Sequence, residues 1–534
     1  MHTLLALSLP LWAAFQSPPA PACSAGVSLK PGVAAAQWTS WGVDIRNSRF
    51  QPASIAGIVS RDVPSLELAW AFSLGSVANA RSQPAVAGGR VFVGTEAAVV
   101  FALDAATGCM LWQFKADLPV RTSVVASKSA IFVGDVAANV YAADAATGTR
   151  LWKTHVDEHK AAVVTGAPQL YRGVLYVPVS SYESTLPLDP AYGCCTFRGS
   201  VVALDAAKGN VIWKTYTIDD TAKATGKSKS GAQTKGPSGA PVWSTPTIDE
   251  RLDRLYVATG NNYSDPVTTR SDAVLALDRR TGKILWSRQF SPRDAYNSSC
   301  DIPGKVNCPA SDGPDADFGQ PPILVSLPNG RRALVIGQKS GDAHALDPDK
   351  GGEVLWSVNV GPGGKLGGAH WGSAVDSRNM YVALSGHQMR AVKDTTVPGG
   401  YRIEPDPQQG GGLAAVNLAD GKIVWKAPPS SCGQRARCSP AQSAAVSAIQ
   451  GAVFSGSVDG HLRAYSTATG EVIWDVDTAR EYPTVNGAKA RGGSLDVAGP
   501  VIAGGRVYVM SGYALWGGMP GNVLLAFSVG GGGK

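Results

Sequence analysis

Seven times along the chain, an apolar run ends in a polar residue, crosses a short turn that holds a glycine, and resumes as a second apolar run ending in tryptophan. The copies read "VVFALDAATGCMLW", "NVYAADAATGTRLW", "SVVALDAAKGNVIW", "AVLALDRRTGKILW", "DAHALDPDKGGEVLW", "GLAAVNLADGKIVW" and "HLRAYSTATGEVIW"; the fifth carries one extra residue. Their tryptophans are Trp112, Trp152, Trp213, Trp286, Trp356, Trp425 and Trp474. Each copy predicts two short strands joined by a tight turn, with glycine supplying the backbone freedom. The ends of the chain complete the count. "LELAW", ending at Trp70, holds only the second half of the pattern, and "NVLLAFS", ending at Ser528, holds only the first. Joined, they make an eighth copy, so the two ends share one sheet and a ring closes. The fold class that follows is all-β: an eight-bladed β-propeller of four-stranded sheets, one domain over residues 38–529. The eight tryptophans lock neighbouring sheets together and are structural.

Composition agrees with short strands and turns rather than long helices: 62 Gly and 35 Pro in 534 residues, with 17% charged. The net charge of +7 is spread thinly. Its densest basic stretch, "KATGKSKSGAQTKG" at 223–236, lacks apolar periodicity and reads as a solvated loop, not a nucleic-acid or membrane patch. Residues 1–22 read as a secretory signal peptide, although the n-region lacks Lys and Arg. Residues 23–37 form an N-terminal segment and 530–534 a Gly-rich tail. No later segment is apolar and long enough to span a bilayer. Eight cysteines include three close pairs, Cys194/Cys195, Cys300/Cys308 and Cys432/Cys438, with Cys23 and Cys109 left over. Close pairs after an export signal favour disulfides in an oxidising compartment, here the periplasm; the spacings do not suit zinc. Adjacent cysteines that bond to each other close a small strained ring, and strain of that kind tends to survive at functional sites.

Each repeat also has an inner strand, and the residues just ahead of those strands fall on one face of the ring, around its axis. Those positions are Arg81, Arg121, Thr165, Trp243, Asp317 with Phe318, and His370 with Trp371. Such a mixture of cations, aromatics and an acid suits a flat, anionic ligand. Glu183 in "SSYES", Asn261 in "ATGNNYSDP" and Asp317 in "PDADFGQPP" add two carboxylates and an amide on the same face, a set that suits a hard cation such as calcium. Lys339, in "IGQKSGDAHALD", follows an inner strand and reaches the same axis. Taken singly, each has a bland reading: turn residue, solvated acid, surface lysine, core tryptophan. Their common face weakens those readings.

With these residues in view, the chain resembles the quinoprotein alcohol dehydrogenases, which use pyrroloquinoline quinone (PQQ) and calcium. The eight repeats, "VWSTPTID", "ATGNN", "ADFG" and the adjacent cysteines carry the resemblance over about residues 38–529, and "WTSWGVDIRNSRFQ" with "GCCTFRGSVVALD" look most like the polyvinyl alcohol dehydrogenase branch. The resemblance implies that Trp243 stacks on one face of the quinone and that the Cys194–Cys195 ring is a plate on the other. It implies that Glu183, Asn261 and Asp317 hold calcium, that Asp317 is also the catalytic base, and that Lys339 contacts the quinone oxygens. Arg121 and Thr165 match residues that hold the cofactor's carboxylates. Three departures stand out. Ala316 replaces the tryptophan that usually precedes the base. Arg81 stands near where many relatives have a glutamate. The cysteine pair follows Glu183 instead of lying one or two blades earlier. Gly319, where lanthanide-using relatives carry a second acid, favours calcium.

The implied activity is oxidation of secondary alcohols, poly(vinyl alcohol)-like polymers included, by hydride transfer to the quinone. The chain has no C-x-x-C-H for covalent haem, so electrons pass to a separate acceptor such as a soluble cytochrome c. No Gly-rich dinucleotide fingerprint is present. The competing class is a non-catalytic propeller binding protein partners at the cell envelope, like the outer-membrane assembly lipoproteins with similar repeats. That class has no need of the Glu183, Asn261 and Asp317 set, nor of Trp243 with paired cysteines.

Overall fold

The computed structural model describes residues 23, 37–327, 329–393 and 401–531. The signal-peptide reading of 1–22 and the end of the Gly-rich tail lie outside the described residues. Eight sheets follow one another along the chain, each with four antiparallel strands and two of them carrying a fifth. The first runs outward through Ala85–Ala87, Arg90–Gly94, Val99–Asp104 and Met110–Lys115. The last takes Val501–Ala503, Arg506–Ser511 and Val523–Val529 from the end of the chain and Leu66–Ser73 from its beginning. The shared eighth blade predicted from the two half-copies is therefore present, with Trp70 opposite Ala526.

The docking of one blade on the next explains the repeat residue by residue. In all eight sheets the tryptophan pairs with an alanine on the neighbouring strand and lies beside a one-residue bulge. The small partner and the bulge let the indole lean out of its own sheet. Trp152 Nε1 then donates to Ala206 O in the following blade at 3.0 Å, and Trp112, Trp213, Trp356, Trp425 and Trp474 do the equivalent. The repeat glycine has two reasons to be there. Gly209 has φ +75°, and a Cβ on it would meet the Trp152 ring at 2.7 Å. The turn needs the left-handed backbone, and the incoming indole needs the empty space.

The stretch "WTSWGVDIRNSRFQ" has no strand periodicity, and the structure gives it a role that periodicity does not reveal. It threads across the inner strands of nearly the whole ring. Trp38 exchanges backbone hydrogen bonds with Val86, and Thr39 O, Ile45 O, Arg46 O, Ser48 O and Arg49 O accept from Ala126, Ile248, Leu324, Val375 and Ala448. Phe50–Gln51 adds a parallel strand beside Ser447–Ile449, and Gln51 Nε2 reaches Ile502 O at 3.0 Å. The segment thus joins seven blades. At its centre is Arg49, fully buried. Its guanidinium donates to Val446 O, Trp41 O, Gln83 Oε1 and Ser447 Oγ and lies over the rings of Trp38 and Trp41.

Two expectations change. Residues 223–236 are not a featureless loop. Lys223–Lys227 pairs with Gln233–Gly236 as an exposed hairpin, because the polar alternation still satisfies a two-stranded ladder. Phe318, read as an axial residue beside Asp317, is fully buried against Phe290 and His344. Side chains alternate sides in extended chain, so only one of the two neighbours faces the axis. The three close cysteine pairs are bonded as expected, and the two left over, Cys23 and Cys109, bond to each other.

Candidate active site

The turns that enter the inner strands bring Arg121, Thr165 and Trp243 to one axial recess, of about 330 Å³ with its mouth. Trp41, from the threaded segment, Ser123, Ser244 and Trp371 complete its wall. Trp243 is half-buried and meets Trp371 edge-on at 5.3 Å between ring centres; His370 stacks on Trp371 at 4.4 Å. The Arg121 guanidinium lies 5.3 Å above the Trp371 ring and makes no hydrogen bond to a described residue. Five polar atoms around the same recess are buried without a partner among the described residues: Trp41 Nε1, Ser123 Oγ, Thr165 Oγ1, Ser244 Oγ and Trp371 Nε1. Buried polar groups are ordinarily satisfied, so five orphans and an unpaired cation around one aromatic-walled space describe a cradle for a flat ligand rich in anionic oxygens.

Asp496, at the edge of this recess, was not legible as a site residue. It accepts from Ser443 Oγ at 2.9 Å and from Val497 N at 2.6 Å. Burial pushes its carboxyl up to about 6, against the pull of Arg121. A carboxyl raised in the folded state binds its proton more tightly than the unfolded chain does. Stability therefore declines as pH rises from about 4 to about 6 and is level above that, a step of roughly 3 kcal/mol. Asp496→Asn should remove this step. The difference in urea midpoint between wild type and variant, measured at pH 4 and pH 7, checks it: near zero at pH 4, with the variant more stable at pH 7.

A second group lies where the loop 311–319 crosses the strand end at Lys339. Asp317 is buried; its Oδ1 accepts from Asn261 N at 2.6 Å and its Oδ2 from Lys339 Nζ at 3.3 Å. Gly260 permits this approach, since a Cβ there would lie 2.5 Å from Asp317 Oδ1. Lys339 Nζ is nearer to a residue absent from the predicted set: Asp315 Oδ2, at 2.7 Å. Asp315 has a left-handed backbone, φ 59°, held by Asp294, whose carboxylate accepts from Asp315 N and Ala316 N. Behind them is Asp272, fully buried, with neither carboxyl oxygen bonded. Burial pushes the carboxyls of Asp272 and Asp294 up, and neighbouring acids add to the push. Burial works against the Lys339 ammonium, but Asp315 and Asp317 outweigh it and hold its proton firmly. Buried acids crowded together in this way relieve their repulsion by holding protons or by taking a cation, and the Asn261 side-chain oxygen accepts no hydrogen bond from a described residue. Hard oxygen donors of this kind fit a divalent cation of the calcium type.

Glu183 is buried, and its carboxylate accepts from Thr196 N at 2.9 Å, Phe197 N at 2.7 Å and Tyr192 Oη at 2.9 Å. Burial opposes its charge, but His159 and these amides prevail and hold its carboxyl below the usual range. Burial pushes the Tyr263 phenol up, and the charges of Asp317 and Glu183 add to the push. The amides bound by Glu183 follow directly on Cys194–Cys195, so the acid also anchors the disulfide turn. Cys194 N-terminal to that turn lines a different recess from Trp243, although the disulfide and Trp243 belong to one packed cluster. Arg81, on the axial rim, pairs with Glu96 at 2.7 Å. Among the described residues the one tight group of three His, Cys or acid ligand atoms is Cys300, Cys308 and Asp312, whose cysteines are bonded to each other.

Residues 38–307 match the family described as glucose/ethanol/alcohol dehydrogenase, β-propeller domain, and residues 233–402 and 339–515 match that of outer membrane protein assembly factor BamB. The chain is 42% identical over 517 residues to a polyvinylalcohol dehydrogenase of Pseudomonas sp, covering 93% of this chain and 77% of that one. It is 40% identical over 536 residues to a polyvinylalcohol dehydrogenase of Sphingopyxis sp. (strain 113P3), covering 96% and 79%. Among solved structures, quinohemoprotein alcohol dehydrogenase from Comamonas testosteroni superposes with a TM-score of 0.68 at 21% identity, over 94% of this chain and 82% of that one.

Proposed function

Because the chain belongs to the family of PQQ-dependent alcohol dehydrogenases, we propose that it oxidises secondary alcohols to ketones, polymers of the poly(vinyl alcohol) type among them, and passes the electrons to a separate acceptor such as a soluble cytochrome c. When bound, PQQ accepts the substrate's hydride and calcium supplies positive charge beside the reacting oxygens. Trp243 offers the stacking face. Arg121, Thr165, Ser123 and Ser244 supply the donors for the cofactor's carboxylates, and the cradle of unpaired polar atoms around them carries the reading. Asn261 and Asp317 offer oxygens to calcium, and Glu183 adds a third. Cys194 and Cys195 form a rigid plate against the same cluster. Asp317 takes the hydroxyl proton, and Lys339, held by Asp315, sets a fixed positive charge beside it. Four disulfides support a periplasmic setting.

The match to the assembly-factor family is what favours a non-catalytic scaffold. It covers the repeats, which such scaffolds share. Reconstitution separates the two. Purified protein given PQQ and calcium should retain the quinone through gel filtration, lose tryptophan fluorescence, and reduce a dye acceptor with secondary alcohols and poly(vinyl alcohol). EDTA before loading should abolish turnover until calcium is returned. Protein that takes up neither PQQ nor calcium would leave the scaffold as the better reading.

A further inference from the structure

A groove of about 1120 Å³, mouth included, opens beside the disulfide turn and shares no lining residue with the axial recess. One wall is the hairpin of Lys223–Lys227 and Gln233–Gly236; the other is the loop around 305–312, stapled by Cys300–Cys308. The walls are tied together. Lys229 N donates to Val306 O at 3.1 Å, Lys229 Nζ to Gly304 O at 3.3 Å, and Ser230 Oγ reaches Asn307 Oδ1 at 3.2 Å. At the other end Asp265 accepts from Ala310 N and Ser311 N. The floor includes Cys194 and Ser264. Both lead to the candidate active site: Cys194 is next but one to Thr196, bound by Glu183, and Ser264 follows Asn261 by three residues, about 10 Å of extended chain.

We infer that this groove binds an extended, neutral, polyhydroxylated chain and feeds its secondary alcohols to the active site; the inference rests on the proposed alcohol-oxidising function. Most of the charged groups in the groove already have protein partners. Lys305 pairs with Asp312 at 2.5 Å, Lys229 with a carbonyl, and Asp265 with two amides. Among the described lining residues, Lys227 is the one cation without a polar partner. What remains to meet a ligand is hydroxyl and amide groups, with Thr225 Oγ1 and Thr234 Oγ1 3.0 Å apart, beside the apolar faces of Val306, Pro309 and Ala310. Hydroxyls beside aliphatic surface match a backbone in which methylenes alternate with secondary hydroxyls. An anion or an acidic protein would need free cations. The space also exceeds what a short-chain alcohol fills and is of ligand-pocket size, about 470 Å³ without the open mouth.

Two variants test this. Thr225→Val with Thr234→Val removes both partners of one hydrogen bond on an exposed hairpin, a nearly neutral change for the fold. Ala310→Trp fills the groove from the opposite wall. In protein loaded with PQQ and calcium, each should raise KM for poly(vinyl alcohol) about tenfold while kcat and KM for pentane-2,4-diol stay within about twofold. Cofactor-free protein should show the same loss directly, as weaker retardation in gels containing the polymer. Equal shifts for polymer and diol, or no shift for either, overturn the groove. So does a pair of variants that slows only electron transfer to a cytochrome c. If wild type oxidises no alcohol but its cofactor-free form binds the polymer and the variants do not, the groove stands and the catalytic reading falls.

Discussion

Asp317→Asn is expected to lose about 10²–10⁴ in kcat while keeping PQQ and most of its calcium affinity. The amide oxygen can still accept from Asn261 N and face a metal, and Lys339 retains its closer partner, Asp315. What the amide cannot do is take the alcohol's proton at neutral pH. The measurement is dye-linked turnover of the loaded variant beside quinone retention and calcium content. Asp315→Asn is the companion. It leaves the Asp317 side chain in place but frees Lys339 to turn wholly toward it, so the loss should be smaller. A fully active Asp317→Asn with an inert Asp315→Asn would move the base two residues upstream.

Arg49→Met is expected to be among the most destabilising single changes in the chain. It strands Val446 O and Gln83 Oε1 in a fully buried place and takes one partner each from Trp41 O and Ser447 Oγ, which keep Gln83 Nε2 and Pro500 O, at a cost of about 3 kcal/mol or more. Arg49→Lys keeps the charge but not the planar fork, and should recover only part. Urea midpoints of the three proteins check the order. Quinone affinity should also fall in Arg49→Met, since the guanidinium packs on Trp41 at 4.9 Å and Trp41 walls the recess. A variant as stable as wild type would mean that the threaded segment is an accessory, not a keystone.

The ring was legible because it is written seven times. A bulge, an alanine and a glycine around each tryptophan repeat wherever a blade must dock, and one half-copy at each end points to closure. The threaded segment occurs once and bonds mostly through its backbone carbonyls, so no side-chain pattern announces it. Arg121, Thr165 and Trp243 could be placed because each precedes an inner strand. Ser123 and Ser244 follow them by one or two positions and carry no signal beyond that spacing. Asp315, Asp294 and Asp272 come together only through loop turns, one of them left-handed, that no periodicity encodes. Cys23 and Cys109 are 86 residues apart, too far for spacing to suggest their bond. Glu183 precedes the disulfide along the chain, but its grip on the amides of Thr196 and Phe197 depends on how the chain turns after Cys195.

The eighth blade also bears on the order in which the chain is made. Leu66–Ser73 is among the first strands to be synthesised, yet its partner, Val523–Val529, is nearly the last. Until that end emerges, an apolar strand waits without a ladder to join, and an unpaired edge of this kind invites association with other chains. The threaded segment is in the same position, since its anchors extend from Val86 to Ile502. A chain cut short anywhere before Val523 therefore lacks more than its missing residues: it leaves its own beginning without a place to fold, and its early strand exposed to every neighbour in the same state.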